Sequence, residues 1–200
     1  MAESHFLALL SRMKYIECWA LMRSSRAENL SEHSLEVALI AHMLCVIGNV
    51  RFGRSLNAER AALVALYHDA SEIITGDMPT PVKYHDGEIR EAYRAVEKSA
   101  EERLVATLPD DLRPVYEGVF WTGEDAGKDE LYLRRLVKAA DKISALIKCV
   151  DEARSGNAEF ESAEKTCRAA VDKMAAELPE VADFVAEFLP SYGATLDELL

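Results

Sequence analysis

Three stretches of this 200-residue chain repeat apolar residues at helical spacing, and each sets an ionisable side chain on or beside the stripe that must be buried. That combination constrains the fold, because a charge taken inside a helical core needs a partner or an ion. The first stretch, EHSLEVALIAHMLCVI, spans about Ser31 to Gly48, with Asn29 or Ser31 as its cap. At about 100° per residue His33 aligns with Val37, Ile40, Ala41 and Leu44, whereas His42 projects to the solvent side. The second stretch, Asn57 to Ile74, is capped by Asn57 and ends at Gly76, and it lines up Ala61, Val64, Ala65, His68 and Glu72. Asp69 sits one step around from His68, where a C-terminal turn lets both neighbours reach one ion. The third, Asp129 to Ala153, carries Leu133, Val137, Ala140, Ser144 and Ile147 in one stripe with Asp141 at its margin.

Each of these residues has an ordinary explanation when taken alone. A single histidine on an apolar face is usually satisfied by a carbonyl, an HD dipeptide arises often by chance, and an aspartate at a helix margin is usually solvated. Together, His33, His68, Asp69 and Asp141 form a mixed nitrogen and oxygen donor set that suits a divalent transition ion and leaves room for water and substrate. Glu72, one turn beyond His68, is placed beside such an ion as a general acid or base, or else as a carboxylate that steadies His68.

The order H…HD…D resembles the HD-domain superfamily of metal-dependent phosphohydrolases. The likeness is closest to the bacterial 5′-deoxynucleotidases and runs through SHF, CWALMR, ENLSEHSL, YHDASE, TGDMPTPVKY, VKAAD and the final PSY…LDE. This resemblance implies an all-α HD-domain helical bundle forming one domain over residues 1–200. It implies one divalent transition metal ion per subunit, such as Co2+ or Mn2+, held by His33, His68, Asp69 and Asp141, and a homodimer. The implied reaction is hydrolysis of nucleoside 5′-monophosphates, deoxyribonucleotides preferred, to nucleoside and phosphate. By the same resemblance Asp77 is expected to join Glu72 as a catalytic carboxylate. The resemblance further implies that Cys18, Trp19, Asp77, Met78, Pro79 and Thr80 contact substrate together with the ligands His33, Asp69 and Asp141, and that Trp19 packs near the sugar, where its bulk disfavours a 2′-hydroxyl. By sequence alone Gly76 to Pro81 is a stiff proline loop.

One position departs from the resembled pattern. Cys18 stands immediately before Trp19 where those nucleotidases have an arginine expected to orient the phosphate. A thiol cannot supply a forked, permanently charged donor. Either Arg23 or Arg26 substitutes, or turnover is impaired, or the preferred substrate differs.

Composition excludes several classes. A formal net charge of −12 argues against a nucleic-acid binder, since duplex affinity comes from basic side chains. A phosphate substrate then needs local positive charge, from an ion or from the basic group Arg12, Lys14, Arg23 and Arg26. Cys18, Cys45, Cys149 and Cys167 hold no close pair in sequence, and no signal peptide is evident, so reduced thiols and a cytoplasmic location are expected. The apolar stretches read as too short and interrupted to span a bilayer, so no membrane partner is expected. TGEDAGKD has one residue too few between its glycines for a phosphate loop, and Asp129 follows the lysine, so it reads as a surface loop. The alternatives to a 5′-nucleotidase are another HD phosphohydrolase, acting on triphosphates or phosphodiesters, and a non-catalytic nucleotide-binding HD module.

Overall fold

Two asparagines start the helices that the sequence pattern outlines. In the computed structural model, which describes residues 3–83 and 86–200 apart from the side chains of Thr80 and Pro81, Asn29 Oδ1 accepts the backbone N–H groups of Ser31 and Glu32, and Glu32 accepts that of Asn29. Asn57 Oδ1 likewise accepts from Arg60 N at 2.8 Å. Each cap satisfies orphan donors of a first turn.

The elements are α1 (Phe6–Leu10), β1 (Glu17–Cys18), β2 (Glu28–Asn29), α2 (Leu30–Phe52), α3 (Ala58–Tyr67), α4 (Glu72–Thr75), α5 (Thr80–Lys83), α6 (Gly87–Val105), α7 (Arg113–Phe120), α8 (Lys128–Arg154), α9 (Glu161–Glu177), α10 (Pro179–Glu187) and α11 (Leu196–Leu199), with three short 3-10 turns. Among the described residues the only strands are β1 and β2, an antiparallel ribbon pairing Glu17 with Asn29 and Cys18 with Glu28. The all-α expectation therefore holds.

The chain divides into two compact units. One comprises Met1–Leu21, Ala27–Ser34 and Tyr67–Glu124. Its core gathers Phe6, Ala70, Leu104, Val105 and Leu108 under the rings of Tyr67, Tyr116 and Phe120, and a smaller cluster joins Met13, Cys18 and Leu30 to Trp19 and Ile73. The other comprises Met22–Arg26, Leu35–Leu66 and Asp125–Leu200. Its core is built on the α8 stripe, with Leu133, Val137, Ala140, Ser144 and Ile147 all buried as their spacing predicts. Asp129 and Glu130 in the first turn of α8 and Arg154 in its last complement the helix dipole.

Two helix extents read from sequence are corrected by the fold. First, α2 does not stop at Gly48 but continues to Phe52 and ends at Gly53, whose φ of 64° is the left-handed conformation that a helix-ending glycine adopts. Gly48 lies inside the helix, and its lack of a Cβ, which would stand 3.0 Å from Glu180 Oε1, admits the buried Glu180, which binds Arg54 and Tyr132. The lengthened helix has 23 residues and a mean hydropathy of 1.6 over its most apolar window, so by length and composition one helix could cross a membrane, contrary to the sequence reading. Its residues Val37, Ile40, Ala41, Leu44 and Cys45 lie in the core of the second unit.

Second, Asn57 to Ile74 is not one helix. It breaks at His68–Ser71, where Ala70 N bonds Tyr67 O at 3.1 Å and Glu72 N bonds Asp69 O at 2.9 Å. These i to i+3 bonds wind the chain more tightly than an α-helix does. The thiols of Cys149 on α8 and Cys167 on α9, far apart in sequence, influence one another, and both are free. As expected, residues 122–127 form a surface loop, and His42 is exposed.

Candidate active site

The tightened turn after α3 is what gathers the first three candidate ligands. In a regular helix His68 and Asp69 diverge by about 100°, but here both side chains face the first turn of α2, which the Asn29 cap holds and which carries His33. Asp69 Oδ2 lies 3.0 Å from His68 Nε2 and 3.7 Å from His33 Nε2, and the two imidazole centroids are 5.4 Å apart. One ligand atom from each of the three falls within 4.8 Å of the others. The side chains are 11 %, 13 % and 27 % exposed for His33, His68 and Asp69, so a small ion is reachable without being fully solvated. Two imidazole nitrogens and a carboxylate oxygen fit a divalent transition ion. Asp141 belongs to the other unit, midway along α8, half-buried, with its Oδ2 2.9 Å from Lys142 Nζ.

Glu72 opens α4 and is only 5 % exposed. Burial raises its carboxyl to about 9, the charges of Asp69 and Asp77 add to the shift, and Lys83 and His68 oppose it. At neutral pH it therefore holds a proton, which a buried carboxyl beside two others must do to avoid stacking like charge.

Asp77 has a defined task. Its Oδ2 accepts the backbone N–H of Trp19 at 2.9 Å. Trp19, directly after the ribbon strand β1, has φ of 59°, the one positive φ outside glycine among the described residues. A bulky residue rarely adopts that conformation, so this hydrogen bond and the ribbon hold a strained backbone that aims the indole. α4 ends at Gly76, φ 72°, and Met78 and Pro79 follow, half-buried. The stiff loop is shorter than its prolines suggest, since Thr80 and Pro81 already belong to α5, where Pro79 O accepts from Val82 N and Lys83 N. The Thr80 side chain lies outside the described residues.

Cys18 is buried, and its thiol is pushed up by desolvation and then by the charges of Glu28, Asp77, Glu72 and Asp69. The charges of several carboxylates thus act on the position that lacks the arginine. Of the two proposed substitutes, Arg23 is tied to Glu159 through Nε at 3.0 Å and Nη2 at 2.6 Å, and Arg26 anchors its loop by its backbone, donating to Glu152 and accepting from Lys148. Arg12 and Lys14 flank the exposed ring of Tyr15. Lys83, to which the sequence reading gave no role, reaches Glu97 Oε1 at 2.6 Å and lies 4.7 Å from the centre of the Tyr93 ring. Its place after the two prolines was visible in sequence, but its partners on α6 were not.

A family model described as 5′-deoxynucleotidase YfbR-like matches residues 5–192. The chain is 46 % identical over 199 residues to the 5′-deoxynucleotidase YfbR of Salmonella paratyphi B and equally to that of Salmonella newport, spanning 100 % of this chain and 97 % of each relative. Among solved structures it is similar to an HD-domain phosphohydrolase from Listeria innocua, with a TM-score of 0.80 at 26 % identity, covering 96 % of this chain and 90 % of the other. It also shares a fold with a cyanophage HD phosphohydrolase solved with dA and one catalytic Zn2+, at a TM-score of 0.61 and 19 % identity over 92 % and 91 % of the two chains.

Proposed function

Because the chain belongs to the YfbR-like 5′-deoxynucleotidase family, we propose that it hydrolyses nucleoside 5′-monophosphates, deoxyribonucleotides in preference, to nucleoside and phosphate. The observation that carries this reading is the cluster of His33, His68 and Asp69 beside the buried Glu72. We assign these three residues and Asp141 as ligands of one divalent transition ion, Co2+, Mn2+ or similar. Bound there, such an ion supplies Lewis-acid polarisation of the phosphoryl group and the positive charge that an acidic chain otherwise lacks.

The residues of the chain do the rest. Glu72, whose carboxyl is pushed upward by burial, is placed to deliver a proton to the departing 5′-oxygen, which turns a poor alkoxide leaving group into an alcohol. Asp77 fixes the Trp19 backbone, and the indole then closes the sugar side against a 2′-hydroxyl. Met78, Pro79 and Thr80 complete the nucleotide contacts. Since phosphoryl transfer depends mainly on positioning, a clamped tryptophan and a loop stiffened by proline suit the reaction.

The same reading takes the chain as one HD phosphohydrolase domain that acts as a homodimer in the cytoplasm, with no nucleic-acid or membrane partner. Exposed Leu35, Leu39 and Val50 on α2 and Leu63 and Leu66 on α3 favour the dimer, because apolar side chains of this size repeated along helices are what a second copy covers. The net charge of −12 disfavours nucleic acid, and the core position of α2 disfavours a membrane span.

A phosphate-release panel over mono-, di-, tri- and cyclic nucleotides, with several divalent metals, tests the reading. Release from deoxynucleoside 5′-monophosphates, with ribonucleotides slower, is expected. Turnover confined to triphosphates or cyclic nucleotides, or binding without turnover, would replace it with one of the other HD activities.

A further inference from the structure

Resting on the nucleotidase reading, we propose that Lys83 is a side-chain cation that binds the substrate phosphate in this chain, supplying part of the positive charge that Cys18 does not. A phosphate monoester entering this site meets the charges of Asp69 and Asp77, and the position expected to offset them holds a neutral, buried thiol. Arg23 is committed to Glu159.

Lys83 stands where a phosphate cation is wanted. It ends α5, three residues after Thr80 and directly beyond the proline loop assigned to the nucleotide. Its side chain is 22 % exposed, and its charge is felt by both the Glu72 and the Asp69 carboxyls. Burial by itself would lower the ammonium, but the hydrogen bond and charge of Glu97 more than offset this, so it stays charged throughout the neutral range.

It is also held in place. Glu97 accepts from Nζ at 2.6 Å and the Tyr93 ring lies beneath it at 4.7 Å, and these two partners are four residues apart on α6, so one helix face grips the flexible stem. An ammonium has three donors, and among the described residues Glu97 engages one, which leaves donors for phosphate oxygens. A lysine fixed in this way loses less side-chain freedom on binding than a solvated one. Glu97 and Tyr93 are positioning residues that act through Lys83.

The competing explanation is a staple that only joins α5 to α6, and binding thermodynamics separates the two. Metal-loaded wild type, Lys83→Met and Lys83→Arg are titrated calorimetrically with inorganic phosphate, dAMP and deoxyadenosine, and metal content and thermal unfolding are recorded for each. Lys83→Met is expected to weaken phosphate and dAMP roughly ten-fold or more, as for loss of a charge-assisted bond, while deoxyadenosine affinity and metal content stay as in wild type. Lys83→Arg should restore most of the phosphate affinity. Lys83→Gln, which keeps a donor for Glu97 without the charge, repeats the test if the methionine variant does not fold. Unchanged phosphate affinity in Lys83→Met or Lys83→Gln, or equal weakening of phosphate and deoxyadenosine, overturns the assignment of Lys83 while leaving dAMP hydrolysis by the wild type intact. A wild type that releases phosphate from no nucleoside monophosphate overturns the nucleotidase reading and this one together.

Discussion

Replacing Cys18 by arginine tests how the chain manages its substrate's charge. The thiol lies 7 % exposed between Met13, Leu30 and Ile73, and the charges of Glu28, Asp77, Glu72 and Asp69 all act on it. A guanidinium there enters the field of these acidic side chains and can extend toward a phosphate. A well-placed charge-assisted bond is worth about 1.5 to 3 kcal/mol, which at about 1.4 kcal/mol per decade raises kcat/KM for dAMP roughly ten-fold to a hundred-fold. Against this stands the cost of forcing a longer side chain into a filled site, about 1 to 3 kcal/mol of folding stability, or roughly 2 to 12 °C in Tm for a chain of this size. Cys18→Arg should therefore be faster and less stable. Its activity profile should also shift to lower pH, because a nearby guanidinium opposes the Asp69 and Asp77 charges that help raise Glu72. Steady-state kinetics on dAMP from pH 5 to 9, with thermal unfolding of the same samples, measures all three effects. Combining the change with Arg23→Ala, Arg26→Ala and Lys83→Met shows which native cation it duplicates, since that truncation becomes cheaper in the Cys18→Arg background. A folded variant with unchanged or lower kcat/KM would refute the reasoning that phosphate charge is under-compensated at position 18.

Three further outcomes follow from the site. Asp69→Asn removes a charge and a preferred oxygen donor, so metal content by elemental analysis and dAMP hydrolysis should both collapse; a variant that retains both removes Asp69 from the ligand set. Glu72→Ala should lose roughly a hundred-fold or more in kcat while still binding metal and nucleotide, and loss of metal instead would make Glu72 a ligand. In metal-free protein, Glu72 titrates near 9 when folded and near 4.5 when unfolded, so between those values the native state holds a proton that the unfolded chain has released. Stability should then fall as pH rises from about 4.5 to about 9, by a few kcal/mol, since each ten-fold difference in proton affinity is worth about 1.4 kcal/mol and relaxation of the site takes up part of it. Urea unfolding with chelator present should show that slope in wild type and not in Glu72→Gln; parallel slopes would refute it.

Much of this was legible in the sequence because helical periodicity maps directly onto burial. The α8 stripe and the Asn57 cap follow from pattern alone, and α8 itself begins and ends within one residue of the range read from sequence. His33 could be set on the inner face of α2 for the same reason. Gly48 misled, because a glycine reads as a stop unless one knows that Glu180 approaches it from a helix far along the chain. The break at His68–Ser71 was hidden too, since a run that alternates between 3-10 and α winding keeps nearly the same apolar spacing. The clamp on Lys83 and the carboxylates around Cys18 are contacts between elements distant in sequence, and no local pattern encodes them.

The central claim is that the histidine and aspartate cluster makes this chain a metal-dependent phosphomonoesterase, and a metal titration tests it most directly. Protein stripped with chelator is titrated with Co2+ or Mn2+ while phosphate release from dAMP is followed, with Asp69→Asn in parallel. The expected result is negligible release without metal, activity that saturates at one ion per chain, and a flat response from the variant. Full activity in the stripped protein, or no release from dAMP at saturating metal, would contradict the account.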